Sequence, residues 1–237
     1  MLRFMIYVSI PNAWRRLRYG NATEDRLLEF VKSTAVEGDA ASVLSAVDRF
    51  KDEKEWMVSI ERRKMEKIGT VLEETKPKNC LELGTYLGYS AVSTAVHLPE
   101  GARLITVEIN EKYASIAKQL VDMAGLNQVS VVTGKSSDVI PELCSRYSMD
   151  KLDYLFIDHF GSQYLPDLER LEELHLLRKG TVIVADNVLF PGCPDYIKYV
   201  EGSNKFTTER FYCKVDGLGV QDAIAISVYN GGDHGDD

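Results

Sequence analysis

The sequence predicts an α/β fold in a single domain, built on a mainly parallel sheet with helices on both faces. Three observations predict it. From Cys80 onward, apolar runs of strand length alternate with longer segments of helical periodicity, the pattern of repeated β-α units. The stretch Cys80-Leu81-Glu82-Leu83-Gly84-Thr85-Tyr86-Leu87-Gly88-Tyr89-Ser90 reads as a buried strand, a tight glycine turn and a helix start. Successive strand runs then end in Glu82, Glu108, Asp158 and Asp186-Asn187. In a parallel sheet those ends form the ligand crevice, where glycines admit close backbone approach and a helix N-terminus offers free N–H groups.

The totals narrow the class of protein. A length of 237 residues suits one α/β domain or two small ones, and 45% hydrophobic with 27% charged residues is ordinary for a globular chain. A net charge of −8 leaves no basic footprint, so nucleic acid is not an expected partner. Cys80, Cys144, Cys193 and Cys213 form no Cys-x-x-Cys pair, which argues against structural zinc and favours a reducing compartment. The expected location is the cytoplasm, and the expected state is a monomer.

Residues 1–22 read as an N-terminal arm. Its apolar start is broken by Arg3 and closed by Pro11, well short of the roughly 20 apolar residues of a spanning helix. No signal-peptide cleavage pattern follows. Trp14-Arg15-Arg16-Leu17-Arg18-Tyr19 mixes arginines with aromatics, so a weak contact with a membrane surface is the alternative to a packed arm.

Residues 23–230 read as the folded domain. Thr23-Glu24-Asp25-Arg26 resembles an N-terminal capping box for a helix through Leu27, Leu28, Phe30 and Val31, broken at Gly38-Asp39. A second helix runs through Val43, Leu44, Val47 and Phe50, and Lys51–Glu55 reads as a solvated charged connector. A third, through Met65, Ile68, Val71 and Leu72, ends before Pro77. Strands are expected at the Cys80 run, Arg103–Glu108, Gln128–Thr133, Leu152–Ile157 and Thr181–Ala185, with two more at Phe206–Cys213 and Ala223–Tyr229. Between them fall helices over Ala114–Met123, Val139–Cys144 and Leu168–Leu177, the last capped by Gly180. Residues 231–237, rich in Gly and Asp, read as a flexible tail.

The crevice acids carry the chemistry. Glu108 falls about 20 residues beyond Gly88, where an acid accepts from both hydroxyls of a nucleoside ribose. The turn is Glu-x-Gly-x-x-x-Gly, without the Gly-x-Gly-x-x-Gly of nicotinamide-binding folds. Asp158, Asp186 and Asn187 offer two carboxylates and an amide oxygen, a hard donor set suited to magnesium or calcium that leaves about half of an octahedral shell open. Any one of these acids read alone is equally well a helix cap or a loop carboxylate.

Together the motifs resemble the catechol O-methyltransferases. The likeness is carried by Glu82–Ser90, Arg103–Asn110, Ile157-Asp158-His159, Leu176–Thr181 and Ala185-Asp186-Asn187-Val188, and it extends from about Glu24 to Tyr229. It implies a Rossmann-like class I methyltransferase fold with a seven-stranded sheet and an N-terminal helical cap. It also implies S-adenosylmethionine as methyl donor, magnesium held by Asp158, Asp186 and Asn187, and a small catechol substrate of the catecholamine type, the chemistry of neurotransmitter degradation. Carried over by position, Val58, Ile60, Glu82, Gly84, Tyr86 and Ser90 would surround the methionine part of the donor. Glu108 would hold its ribose, with Ile109, Ser136, Asp158 and His159 about the adenine side. Trp56 and Pro191 would grip the catechol ring, and Asp158, Asn187 and Asp216 would serve catalysis at its hydroxyls.

The resemblance breaks at one position that matters. The family carries a general-base lysine two residues after the crevice histidine, and here that position is Gly161, preceded by Phe160 in place of a tryptophan. Asp216 stands where the family has a glutamate, one methylene longer. The expectation is a slow enzyme, with a donor-binding pseudo-methyltransferase or scaffold as the alternative.

Overall fold

The computed structural model describes residues 22–57, 59–215 and 218–231. Three helices come first: α1 (Thr23–Thr34), α2 (Ala40–Glu53) and α3 (Arg62–Thr75). The alternating part begins with β1 (Asn79–Leu83), α4 (Tyr89–Ala95), β2 (Arg103–Glu108), α5 (Glu111–Met123) and β3 (Val129–Thr133). It continues with α6 (Ser136–Val139), α7 (Leu143–Tyr147), β4 (Leu152–Ile157), α8 (Tyr164–Glu173) and β5 (Leu177–Ala185). The last elements are α9 (Pro194–Gly202), β6 (Phe206–Lys214) and β7 (Gln221–Tyr229).

The strands form one seven-stranded sheet in the order β3-β2-β1-β4-β5-β7-β6. β1 to β5 pair in parallel, and β7 runs antiparallel to both of its neighbours. Strand order reverses between β1 and β4, so the crevice opens at their C-terminal ends. Both sheet faces are covered, because alternate side chains go to opposite sides. Tyr154 and Phe156 of β4 pack with Ile68 and Leu72 of α3, whereas Leu155 and Ile157 pack with Leu168 and Leu171 of α8. The N-terminal helices form a third apolar cluster: Leu27, Val31, Val43 and Phe50 close on Val92 of α4 and on Ile116 and Leu120 of α5. That cluster seats the helical cap beside the crevice.

Several local expectations differ from the structure, each for a physical reason. Ala22 is the N-cap of α1 and offers no side-chain bond; the Thr23 hydroxyl instead donates to Glu55 Oε2 at 3.0 Å. Glu55 is therefore not part of a solvated connector. It is buried and accepts from Arg26 Nε at 2.5 Å, tying α1 to the end of α2. The single helix expected over Val139–Cys144 is broken into α6, a 3-10 turn at Ile140–Glu142 and α7, because Pro141 has no N–H to continue the ladder. Gly180 caps no helix. It sits at φ +92° within β5, where the pairing register with β4 shifts between Leu152 and Tyr154. Among the described residues, no helix is long and apolar enough to cross a membrane.

Candidate active site

The site is assembled by strand register. Leu83 pairs with Val107 on one side and Ile157 on the other, and Ile157 pairs with Ala185. The next residue on each chain therefore emerges in one row. The ladder continues one step beyond the strands: Gly84 N donates to Val107 O, Asp158 N to Leu83 O and Asp186 N to Ile157 O, at 2.9–3.0 Å. Gly84, Asp158 and Asp186 are thus fixed by backbone bonds before any side chain acts.

The glycine turn is tight because it must be. A Cβ on Gly84 would lie 2.2 Å from Asp158 O, and φ is +101°, so only glycine fits. Tyr86 also adopts a left-handed conformation, φ +46°, and its N–H donates to Glu108 Oε2 at 2.7 Å. Glu108 Oε1 accepts from Asn110 N at 2.8 Å, so both oxygens are oriented by backbone N–H groups. The Tyr86 hydroxyl donates to Glu24 Oε1 of the helical cap at 3.2 Å, and its ring meets Tyr113 edge-on at 5.0 Å. Beneath the turn, Glu82 is fully buried. Its Oε1 accepts from the Ser90 hydroxyl at 2.6 Å, and its Oε2 has no hydrogen-bond partner. Burial raises its carboxyl to about 8, with Ser90 and Thr106 offsetting part of the effect and Glu108 adding to it.

Across the crevice lies a polar cluster. Burial and the adjacent Asp186 push the Asp158 carboxyl well above the ordinary carboxylate range, with Lys64 offsetting only part. Burial likewise raises Asp186, against the pull of Lys64. Lys64 projects from the buried face of α3 and is wholly enclosed. Its Nζ lies 2.6 Å from Asp186 Oδ1, 2.7 Å from Asp222 Oδ2 and 2.7 Å from Glu61 Oε2. Burial alone would lower the Lys64 pKa, but the carboxylates reverse the sign and hold it above the usual lysine range. It is a fixed cation. Asn187, at φ +54°, donates through Nδ2 to Asp222 Oδ2 at 2.9 Å.

Two cavities meet along this row. The first, about 530 Å³, is lined by Trp56, Ile60, Glu61, Gly84, Tyr86, Ser90, Asp158, Asp186, Asn187, Phe190 and Pro191, among others. The second, about 400 Å³, is lined by Gly84, Tyr86, Glu108, Ile109, Ser136, Asp158, His159, Phe160 and Gln163, among others. Gly84, Tyr86, Tyr113 and Asp158 border both. Of the residues singled out from sequence, Val58 and Asp216 lie outside the described residues. Glu82 underlies the turn, Gly161 lines neither cavity although its neighbour Phe160 does, and the others reach one cavity or both. His159 is held by Asp167, Nε2 to Oδ2 at 2.7 Å, and stacks on Tyr164 at 5.3 Å. Among the described residues, no group of three or more His, Cys, Asp and Glu is arranged to hold a metal ion. The crevice trio offers only two carboxylates, its third donor being the Asn187 amide.

Sequence reasoning missed Lys64, Asp222, Glu61, Glu24 and Tyr113. Lys64 had left a signal, since it shares the apolar stripe of α3 with Ile68 and Val71 at helical spacing. Asp222 is an acid one residue into an apolar strand, a position that solubility does not explain.

Comparison with known proteins adds a family to this geometry. A family model described as O-methyltransferase matches residues 34–203. Catechol O-methyltransferase of Bos taurus is 44% identical over 218 residues, covering 92% of this chain and 80% of the relative. Catechol O-methyltransferase B of Danio rerio is 42% identical over 87% of this chain and 78% of its own length. Transmembrane O-methyltransferase of Homo sapiens is 33% identical, covering 94% of this chain and 76% of that protein. Among solved structures, an O-methyltransferase from Bacillus cereus in complex with SAH superposes with a TM-score of 0.69 at 24% identity, over 80% of this chain and 91% of that one. At that identity the superposition speaks for the fold, a class I methyltransferase sheet. The family match and the 42–44% identities speak for more: the chain belongs to the catechol O-methyltransferase family.

Proposed function

We propose that the protein transfers a methyl group from S-adenosylmethionine to a hydroxyl of a catechol, with magnesium held by Asp158, Asp186 and Asn187. The observation that carries this reading is the convergence of those oxygens on the cavity that adjoins the glycine turn. The residues fit both groups. For the donor, Gly84, Tyr86 and Ser90 line the first cavity, and beneath them Glu82 Oε2 is a buried oxygen with no partner, suited to an ammonium. For the metal, the donors are all hard oxygens, and burying Asp158 beside Asp186 crowds negative charge that a divalent cation relieves. The Asn187 Nδ2 is taken by Asp222, so its Oδ1 is turned the other way.

S-adenosylmethionine supplies the methyl group, and magnesium supplies Lewis acidity that lowers the pKa of a hydroxyl beside it. The chain's own residues do the rest by placement. Glu108, oriented by two backbone N–H groups, keeps lone pairs for ribose hydroxyls. His159, Ile109, Ser136 and Phe160 border the adenine side. Trp56, Phe190 and Pro191 form an apolar wall that orients an aromatic ring and excludes water. Holding acceptor and donor in line is worth far more than any one contact.

Removal of the hydroxyl proton is the weak step. Gly161 accepts nothing, and Lys64, the lysine nearest the metal oxygens, is locked as an ammonium by its carboxylates. A general base typically contributes about 10²–10⁴-fold, so turnover is expected to be slow rather than absent. The second reading, donor binding with little turnover, is favoured by the packing at Gly161. A Cβ there would lie 3.1 Å from Gly192 O, so the glycine lets the two crevice loops close together. Incubating the protein with Mg²⁺, labelled donor and either a catechol or a single-hydroxyl phenol separates the two. Labelled product from the catechol alone supports the enzyme; donor binding by calorimetry without product from either assigns the second reading.

A further inference from the structure

Asp222 lines neither cavity yet holds both the apolar wall and the proposed metal oxygens of the first one. Its Oδ2 accepts from Lys64 Nζ at 2.7 Å and from Asn187 Nδ2 at 2.9 Å. Its Oδ1 accepts from Leu189 N at 3.1 Å and Phe190 N at 2.9 Å. It is fully buried and ion-paired to Lys64, and it is the acceptor in all four of these bonds. Lys64 in turn grips Asp186 at 2.6 Å and Glu61 at 2.7 Å.

An ionised carboxylate accepts only, so it dictates which end of a neighbouring amide faces it. We infer that Asp222, anchored by Lys64, is a positioning residue for metal binding: it turns the Asn187 side chain so that its oxygen, not its nitrogen, faces the metal site. The inference rests on the magnesium reading above. The same side chain pins the backbone ahead of Pro191, so the metal donor and the apolar wall share one anchor on β7. Outer residues of this kind commonly govern metal affinity by 10–100-fold.

Asp222→Asn tests the effect. Its Oδ1 still accepts from Leu189 and Phe190, but its new amide now faces both Asn187 Nδ2 and Lys64 Nζ, donor against donor. Asn187 relieves this by rotating and presenting its nitrogen to the metal site. Mn²⁺, read by calorimetry and paramagnetic resonance on donor-free protein, is the probe. Wild type is expected to bind it, Asn187→Ala weakly, and Asp222→Asn about 10–100-fold more weakly than wild type. The affinity for S-adenosylmethionine, which confirms the fold, should not change. Asp222→Asn/Asn187→Asp should bind Mn²⁺ as tightly as Asn187→Asp alone, because a carboxylate presents oxygen either way round; a merely structural role for Asp222 leaves the double variant about 10–100-fold below that single variant. Should Asp222→Asn fail to bind donor, Asp222→Ser, which keeps an acceptor for the backbone, replaces it. Wild-type Mn²⁺ affinity in a donor-binding Asp222 variant overturns the inference alone. No Mn²⁺ binding by wild type overturns the magnesium reading and the inference with it.

Discussion

At the scale of single residues, Glu82 and Gly161 make opposite contributions. Glu82 is a carboxyl raised by burial from 4.5 to about 8, so the folded chain holds a proton that the unfolded chain has released. Stability from this group is therefore full below about pH 4.5 and is lost as pH rises towards about 8. In a donor-free melting series across that window, Tm should fall with pH, and Glu82→Gln should flatten the fall. The same proton should leave when a cationic donor binds. Calorimetry in buffers of different ionisation enthalpy should show proton release near neutral pH, abolished in Glu82→Gln. At Gly161 no left-handed backbone bars a side chain, but a built Cβ lies 3.1 Å from Gly192 O and 3.5 Å from Cys193 Cβ, so the Gly192 loop must give by a few tenths of an ångström. Gly161→Lys is expected to raise the methylation rate by about 10-fold or more, with Gly161→Ala as the packing control. An unchanged rate in the lysine variant would mean that the proton leaves by another route.

At the scale of elements, the cap helices hold the crevice shut on one side. Glu55 joins α1 to the end of α2 through Thr23 and Arg26, with the carboxylate and guanidinium both largely enclosed. Glu24 reaches from α1 to Tyr86 in the glycine turn. Glu55→Ala leaves the Arg26 guanidinium without its carboxylate in a dry setting, which costs about 3 kcal/mol by urea unfolding. Donor affinity should fall with it, because α1 lines the first cavity through Thr23, Glu24 and Leu27. A loss below about 1 kcal/mol would place the pair among ordinary surface bridges. These ties were illegible in the sequence for a physical reason. Thr23-Glu24-Asp25-Arg26 satisfies the local rule for a capping box, but a tertiary partner 32 residues away took the hydroxyl. The charged run Lys51–Glu55 looked solvated because charge reports exposure only on average, and Glu55 is the exception.

At the scale of the whole molecule, the sheet does the arranging. Strands β1, β2, β4 and β5 and their closing acids were legible, because parallel strands buried on both faces read as unbroken apolar runs, and an acid closing such a run stands out. Glu108, Asp158, Asp186 and Asn187 were found that way. Lys64 and Asp222 were not, since they meet from α3 and β7, 158 residues apart. Only topology brings them together: β7 inserts antiparallel beside β5, setting Asp222 next to the residues that follow Ala185. The same insertion ties Asp186 and Asn187, the proposed metal donors, to the last described strand, far along the sequence from the glycine turn.

The most direct test of the account is a magnesium titration of turnover. Protein stripped with EDTA, saturated with labelled S-adenosylmethionine and a catechol, should make no methylated product until Mg²⁺ is added, and Asp186→Ala should stay inactive while still binding donor. Product formed at full rate without metal, or by Asp186→Ala, would contradict it.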